Sequence, residues 1–453
     1  MDILYIIQIL IGFVGLVLIA FPFSSNIKII NYRHIIYAIL FQLVLAFILI
    51  KIPVITNLFS YLADGVAALQ VATGKGTEFV FGYLGGGALP YELSQKGSAL
   101  IFAFSILPFI IVMSSITATL WYWGILPFIV NVFSKICQKL FNIGGPIGLG
   151  AAANVIVGQV EAPLLIRPYL AKLSNKELLI LMTAGMSTVA GSIMVALVSM
   201  LQIQFNDLNL IQHFLTASIL SVPAAILFAN VLMPSNEVTD FEGDETPKIY
   251  ENTMDAITKG TRDGTDIAIG VGSILIVFIA LVYLVDSLLG IFSIGSQSLS
   301  LQMILGYLFA PIAWLMGVPW DEAIVSGKLL GIKTALNEFV AYAELANLQD
   351  GILSDRSKLI TLYGLCGFAN FSSVGILVSG IGAMSPERKP DLIKVSLRAL
   401  IGATLASCMT GTVIAVFIYL FITINKFKYE ANNNQRMYGT YSNPANLSIF
   451  STL

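Results

Sequence analysis

The chain has 453 residues, 57% of them hydrophobic and only 11% charged, with a formal net charge of −2. A soluble globular domain carries about 25% charged residues, so this composition excludes one and describes an all-α polytopic membrane protein. Its two histidines and three cysteines (Cys137, Cys366 and Cys408) lie far apart, with no metal-ligand or disulfide spacing, which argues against a zinc hydrolase or a histidine proton relay.

A spanning helix needs about 20 apolar residues. Taken in order, segments 3–21, 35–50, 99–120, 178–201, 214–232, 267–289, 359–381 and 397–424 predict about eight transmembrane helices. The first has no basic leader or small-residue cleavage site and reads as a retained helix. Segment 52–98 is mixed and holds three consecutive glycines at 85–87, predicting interfacial helix and loop. Trp121, Tyr122 and Trp123 form an aromatic interfacial anchor. Segment 235–264 is acidic and polar, a cytoplasmic linker between two halves, and 425–453 is rich in Asn and Ser, predicting a disordered tail.

Two apolar regions do not read as clean spans. Region 144–170 is broken by Gly144, Gly145, Pro146, Gly158, Pro163 and Pro168. Region 301–342 is broken by Pro311, Gly317, Pro319, Gly327 and Gly331, and carries Asp321, Glu322, Lys328, Lys333 and Glu338. Such breaks predict re-entrant hairpins, because freed backbone groups at membrane depth must line a cavity or be buried in protein. The basic residues give the orientation. With the N-terminus outside and each broken region returning to its own side, the inner loops hold Lys28, Arg33, Lys135, Lys139, Arg167, Lys172, Lys176, Lys248, Lys259, Arg262, Arg388, Lys389 and Lys394. The outer loops 206–212 and 290–300 hold none, which satisfies the positive-inside rule. Lys75, Lys96, Arg356, Lys358 and the tail cations Lys426, Lys428 and Arg436 are exceptions. The first hairpin then opens to the cytoplasm and the second to the outside. Each is followed by an apolar segment with small and hydroxyl residues at its middle, so the halves read as the inverted repeat recurrent in secondary transporters.

Carboxylates at membrane depth cost roughly 2.5–3.5 kcal/mol on insertion scales and mark functional sites by default. Gln159 and Glu161, flanking Val160 at the first hairpin tip, offer acceptors and amide donors suited to a neutral planar ligand such as a nucleobase; the plainer alternative is an internal network that holds the tip. Glu338, after Asn337 at the second tip, suits sugar hydroxyls, and Asn370 and Ser373 share one face of the following helix; the plainer alternative is polar glue between helices. Asn154 and Thr188 offer side-chain oxygens to a small hard cation, with unwound carbonyls near Val157 and Val189 completing its shell. Ile193 and Phe368 read from the residues alone as packing.

The stretches Gly158 to Tyr169 (GQVEAPLLIRPY), Lys333 to Tyr342 (KTALNEFVAY) and Gly367 to Ser373 (GFANFSS) together resemble the concentrative nucleoside transporter family. Residues 76–82 and 317–320 are similar too, and the resemblance runs to about residue 424. It implies cation-driven uptake of nucleosides by a homotrimer in a bacterial cytoplasmic membrane, with no enzyme activity, no nucleic-acid partner and no cofactor beyond a coupling sodium ion. It also implies a scaffold domain (mainly 1–143, with 384–424) and a mobile transport domain (144–203 and 301–383), joined through spans at 204–234 and 264–300. By motif, Gln159, Val160 and Glu161 would meet the base, with Ile193 against it. Glu338, Asn370 and Ser373 would meet the ribose, with Phe368 beside it, and Asn154, Val157, Thr188 and Val189 would form the sodium site. Val160 stands where the family usually has Thr or Ser, and Thr188 where Ser is common. The continuation Ala-Pro-Leu-Leu-Ile-Arg-Pro at 162–168 looks like sodium-coupled members. The alternative is proton coupling, with Glu161 or Glu338 titrating.

Overall fold

In the computed structural model, the described residues are 2–91, 101–141, 143–201, 205, 208–235, 249–294, 297–349 and 351–436. They are almost entirely helical. In chain order the helices begin with α1 (Asp2–Ala20), α2 (Tyr32–Lys51) and α3 (Pro53–Phe81), and then α4 (Phe102–Ser105) and α5 (Leu107–Tyr122). Next are α6 (Ile125–Phe141), α7 (Gly145–Ala153), α8 (Glu161–Leu165), α9 (Asn175–Ser187), α10 (Gly191–Leu201) and α11 (Leu210–Leu232). The second half has α12 (Thr253–Leu289), α13 (Leu301–Leu315), α14 (Trp320–Ala335), α15 (Glu338–Ala346), α16 (Asp355–Leu365), α17 (Phe371–Met384) and α18 (Lys389–Arg436). A two-residue antiparallel ladder, Ser293–Ile294 with Gln297–Ser298, follows α12.

Polar residues mark many of the helix starts in this apolar chain. Asn31, Asn209, Asn252, Ser300, Asn337, Ser354 and Asn370 each accept a backbone N–H of the first turn, and Ser174 and Glu177 form a reciprocal capping box on α9. Where such a start is buried, as at Asn337 and Asn370, no water is at hand to satisfy those donors, and the cap supplies the partner.

The element order runs twice. In the first half α5 leads to α6, α7, α8, the interrupted pair α9/α10 and α11; in the second, α12 leads to α13, α14, α15, the interrupted pair α16/α17 and α18. The packing repeats as well. α6 lies on α7 as α13 lies on α14, α7 meets α9 as α14 meets α16, and α9 meets α11 as α16 meets α18. Leading helices α5 and α12 pack on each other, as do the closing helices α11 and α18. Each half makes three crossings if the helix–tip–helix units turn back, so the second starts from the opposite face and the repeat is inverted. Most of α11 and of the apolar part of α18 is buried, whereas α1, α2 and α5 face largely outward. The core therefore lies on α11 and α18, with the interrupted pairs packed against them.

Among the described residues, five helical segments are long and apolar enough to cross a membrane. Two expected spans, 178–201 and 359–381, are instead broken, at residues 188–190 and 366–370. Hydropathy sums side chains and is blind to the backbone, so an apolar break leaves no mark on it. Three further expectations change. Within 52–98 a single 29-residue helix, α3, replaces the mixed segment, and 92–98 lie outside the described residues. Helix α12 starts at Thr253, inside the expected linker, because Asn252 caps it; residues 236–248 lie outside the described residues. Helix α18 continues to Arg436, through the start of the expected disordered tail, and 437–453 lie outside the described residues. In the second broken region α13 and α14 meet at a 117° bend, and the tip bearing Glu338 lies between α14 and α15.

Helix α6 is amphipathic in two directions. Leu126, Val130, Ser134, Cys137 and Phe141 are buried, while Ile125, Phe128, Ile129, Val132, Ile136 and Leu140 form an outward apolar stripe at helical spacing. Gly124, at φ +80°, makes the turn that joins it to α5.

Candidate functional site

The first tip, residues 154–160, connects α7 to α8 and is rich in polar atoms without partners. Asn154 is 1% exposed; its Nδ2 donates to the Gly150 carbonyl at 3.0 Å. Its Oδ1 is buried with no hydrogen-bond partner, as is Oε1 of Gln159. Glu161 is half-buried and opens α8. A Cβ on Gly158 would lie 2.1 Å from a Glu161 carboxylate oxygen, so the absent side chain at 158 is what seats this carboxylate. Glu161, Gly158 and Val157 line a cavity of about 160 Å³, whose other wall is Ser114 and Thr117 of α5 and Lys259, Gly260 and Asp263 of α12.

Gly158→Ala must therefore rotate the Glu161 carboxylate without disturbing the core. We expect a folded protein whose affinity for a ligand held by this carboxylate falls about tenfold, the worth of one displaced charged hydrogen bond, read by ligand binding beside a thermal melt that does not move.

The second tip is tighter. Asn337 accepts the Val340 N–H at 3.0 Å, and Glu338 is the first residue of α15. Glu338 is 5% exposed, and its Oε2 accepts Nδ2 of Asn370 at 2.9 Å. Asn370 in turn caps α17, its Oδ1 taking the Ser373 N–H at 2.8 Å. One asparagine thus ends the break in the α16/α17 pair and fixes the orientation of the carboxylate. Ser373 is buried with them, and Phe368 lies within the break, 7% exposed.

The first interrupted pair is held by the first tip. Thr188 leaves α9 in extended conformation, its hydroxyl donating to the Ala184 carbonyl at 3.0 Å. Val189 N–H donates to Ser218 Oγ of α11 at 3.1 Å, and Gly191 N–H donates to the tip carbonyl of Ile156 at 3.0 Å. Asn154, Thr188 and Val189 are thereby gathered around the end of α9, since a Cβ on Gly185 would lie 3.4 Å from Asn154 Oδ1. An anionic guest would meet unfavourable carbonyl dipoles there; a small cation fits an orphaned amide oxygen beside a helix C-terminus.

The two halves cross at their breaks. A Cβ on Gly367, at φ +115°, would lie 2.6 Å from the Ser187 carbonyl oxygen, and one on Gly380 of α17 would lie 2.9 Å from Val160 Cγ1 of the first tip. Helix α10, which carries the buried Ile193, packs on α15. The structure therefore brings Val160 of the first tip to the same helix, α17, that Asn370 and Ser373 begin, with Gln159 against Gly185 of α9 and Glu161 facing α5 and α12. The reading of the residues missed Ser218 as a partner of the break, Gly367 as the crossing point and the seat of Lys333; an Asn followed three residues later by Ser, just past a glycine, was the available sign of a helix start.

Comparison with known proteins decides the family. The chain matches the family models for the Na+ dependent nucleoside transporter N-terminus over residues 11–84 and C-terminus over 213–415, and the nucleoside-recognition Gate model over 103–204. Nucleoside permease NupC of Helicobacter pylori is 35% identical over 417 residues, covering 90% of this chain and 97% of that protein. The chain belongs to the concentrative nucleoside transporter family. Sodium/nucleoside cotransporter 1 of Mus musculus is 31% identical over 90% of this chain and 63% of its own length. Among solved structures, CNTnw in an inward-facing substrate-bound state is similar at 33% identity and TM-score 0.80, covering 91% of this chain and 99% of that one. A CNTnw variant in an outward-facing state is similar at TM-score 0.81 and 32% identity, covering 91% of this chain and 98% of that one. The transporter is an integral membrane protein, and its relatives are permeases and transporters, not enzymes.

Proposed function

We propose that this transporter imports nucleosides by sodium symport, with Gln159, Val160, Glu161 and Ile193 around the base and Glu338, Phe368, Asn370 and Ser373 around the ribose. The observation that carries the reading is the shared helix α17. Ser373 near its start lies beside the Glu338–Asn370 pair, and Gly380 lies against Val160. From Ser373 to Gly380 at 1.5 Å per residue is about 10 Å, the length of a nucleoside. Glu338 accepts hydrogen bonds from hydroxyls, one of its lone pairs already taken by Asn370 Nδ2; Glu161 and the unpartnered Gln159 oxygen supply acceptors for the amino or imide hydrogens of a base.

Asn154 and Thr188 side chains with the Val157 and Val189 carbonyls would hold the sodium ion, which supplies positive charge at the C-terminal end of α9 and ties the first tip to the break. Those same residues shape the wall against which the base lies, so filling the ion site stiffens the nucleoside site, and the two bind together. The movement we propose is of elevator type. Residues 144–203 and 301–383 carry both tips as a transport unit past a scaffold built on 1–143 and α18, in a homotrimer of the bacterial cytoplasmic membrane with its N-terminus outside. Support for a sliding boundary comes from the cavity between the first tip and helices α5 and α12.

The test is uptake of labelled uridine and adenosine into proteoliposomes under an imposed sodium or proton gradient. Accumulation driven by sodium alone is expected, and Asn154→Ala should cost about tenfold in apparent sodium affinity, the worth of one ligand oxygen, with the protein still folded. Accumulation driven by protons alone would keep the nucleoside site and retire the ion site.

A further inference from the structure

The two halves meet the same structural need with opposite chemistry. Aligned at Gly185 and Gly364, the breaks fall in register, Thr188, Val189 and Ala190 against Gly367, Phe368 and Ala369. In each half a polar group from the first helix of the preceding unit, or from its end, reaches that glycine. In the first half it is Asn154, whose buried Oδ1 faces Gly185 and has no donor. In the second it is Lys333 of α14, 1% exposed, whose Nζ donates to the Gly364 carbonyl at 3.0 Å.

The last carbonyls of a helix lack intrahelical partners and carry partial negative charge, which favours a cation. On α16 the carbonyls of Leu362 and Tyr363 take the Cys366 N–H, and Lys333 takes the next one. On α9 the carbonyl of Ala184 receives only the neutral hydroxyls of Ser187 and Thr188, at 3.2 and 3.0 Å. One helix end has its cation tethered to the protein; beside the other, next to Gly185, lies the unpartnered amide oxygen of Asn154. A fully buried ammonium is retained only where fixed dipoles and an opposite charge compensate it, and Glu338 lies across the tip, near enough to act on Lys333 electrostatically.

We propose that the Lys333 ammonium is the built-in counterpart of the coupling sodium: it occupies, in the second half, the cation position that the repeat pairs with Asn154 and Thr188. Lys333 is a positioning residue. It ties α14 to the end of α16 and so holds Glu338 and Asn370 in register without a second ion. The inference rests on the sodium reading of the first half.

The experiment is binding of labelled uridine to the purified transporter as a function of sodium, for wild type, Lys333→Ala and Lys333→Met, with and without methylammonium. Wild type is expected to show a sodium Hill coefficient of about one. Lys333→Ala should bind about tenfold more weakly at low sodium, the effect of removing a charged hydrogen bond. It should recover with added methylammonium, or with high sodium at a Hill coefficient approaching about two. Lys333→Met fills the space with an apolar chain and should stay weak under every condition. If Lys333→Ala is too unstable to bind, its melting temperature becomes the readout and should rise with methylammonium or sodium. Wild-type affinity in either variant, or a weak Lys333→Ala that no small cation restores in binding or melting, overturns the proposal. A wild type indifferent to sodium would instead remove the sodium reading, while rescue by methylammonium would still stand for Lys333.

Discussion

Glu338→Gln is expected to abolish nucleoside uptake while leaving assembly and melting temperature close to wild type. The carboxylate accepts a side-chain hydrogen bond from Asn370 Nδ2 at 2.9 Å, and in the site proposed above its remaining lone pairs would serve the ribose. A glutamine in the same place must either turn its NH₂ toward the Asn370 NH₂, donor against donor, or turn it toward the ribose hydroxyls and surrender an acceptor. Either way a charge-assisted hydrogen bond is lost and a buried donor is left unmatched, about 3 kcal/mol together or roughly a hundredfold in affinity. Labelled-uridine binding and proteoliposome uptake, beside size-exclusion and melting controls, give the measure. Wild-type uptake by a folded Glu338→Gln protein would remove Glu338 from the ligand site.

Gly367→Val should have an effect of similar size by a different route. The residue sits at φ +115°, a conformation that β-branched side chains rarely adopt, and its Cβ would press against the Ser187 carbonyl oxygen at 2.6 Å. Both neighbours are backbone of interrupted helices, so neither yields by rotating a side chain. Strain and overpacking together come to about 2–5 kcal/mol, enough to separate the breaks and lose transport with a marked fall in melting temperature. Gly375→Ala, on the helix that follows the break, is the control, since a Cβ there meets nothing within 4 Å, and it should transport and melt like wild type.

The sequence announced its polar tips clearly because a carboxylate in an apolar run has no ordinary explanation. Glu161 and Glu338 were found that way, and both begin the second helix of a unit, as their positions beside Pro163 and after Asn337 suggested. The family motifs then placed the remaining candidates. The interrupted helices were not legible, because Thr188, Val189 and Ala190 are as acceptable to a span as to a break, and only the capping residue Asn370 betrays the second one. Lys333 was visible as a charge but not as a buried one; its seat depends on a carbonyl 31 residues away, and no window along the chain joins the two. The first 29-residue stretch after Ile52 looked irregular because its glycines and polar residues are those of an outward-facing helix, not a loop.

The outward stripe of α6 gives the surrounding lipid a part in the working cycle. Ile125, Phe128, Ile129, Val132, Ile136 and Leu140 prefer acyl chains to water, at about 0.8 kcal/mol for each methylene withdrawn. Displacing the first tip along the membrane normal by lifting α6 with it would therefore be costly, whereas pivoting at Gly124 leaves the stripe afloat. In the elevator movement proposed above, the helix would act as an outrigger riding on the hydrocarbon boundary, and the thickness and packing of the bilayer, rather than the viscosity of the aqueous medium, would set how fast the unit it steadies travels.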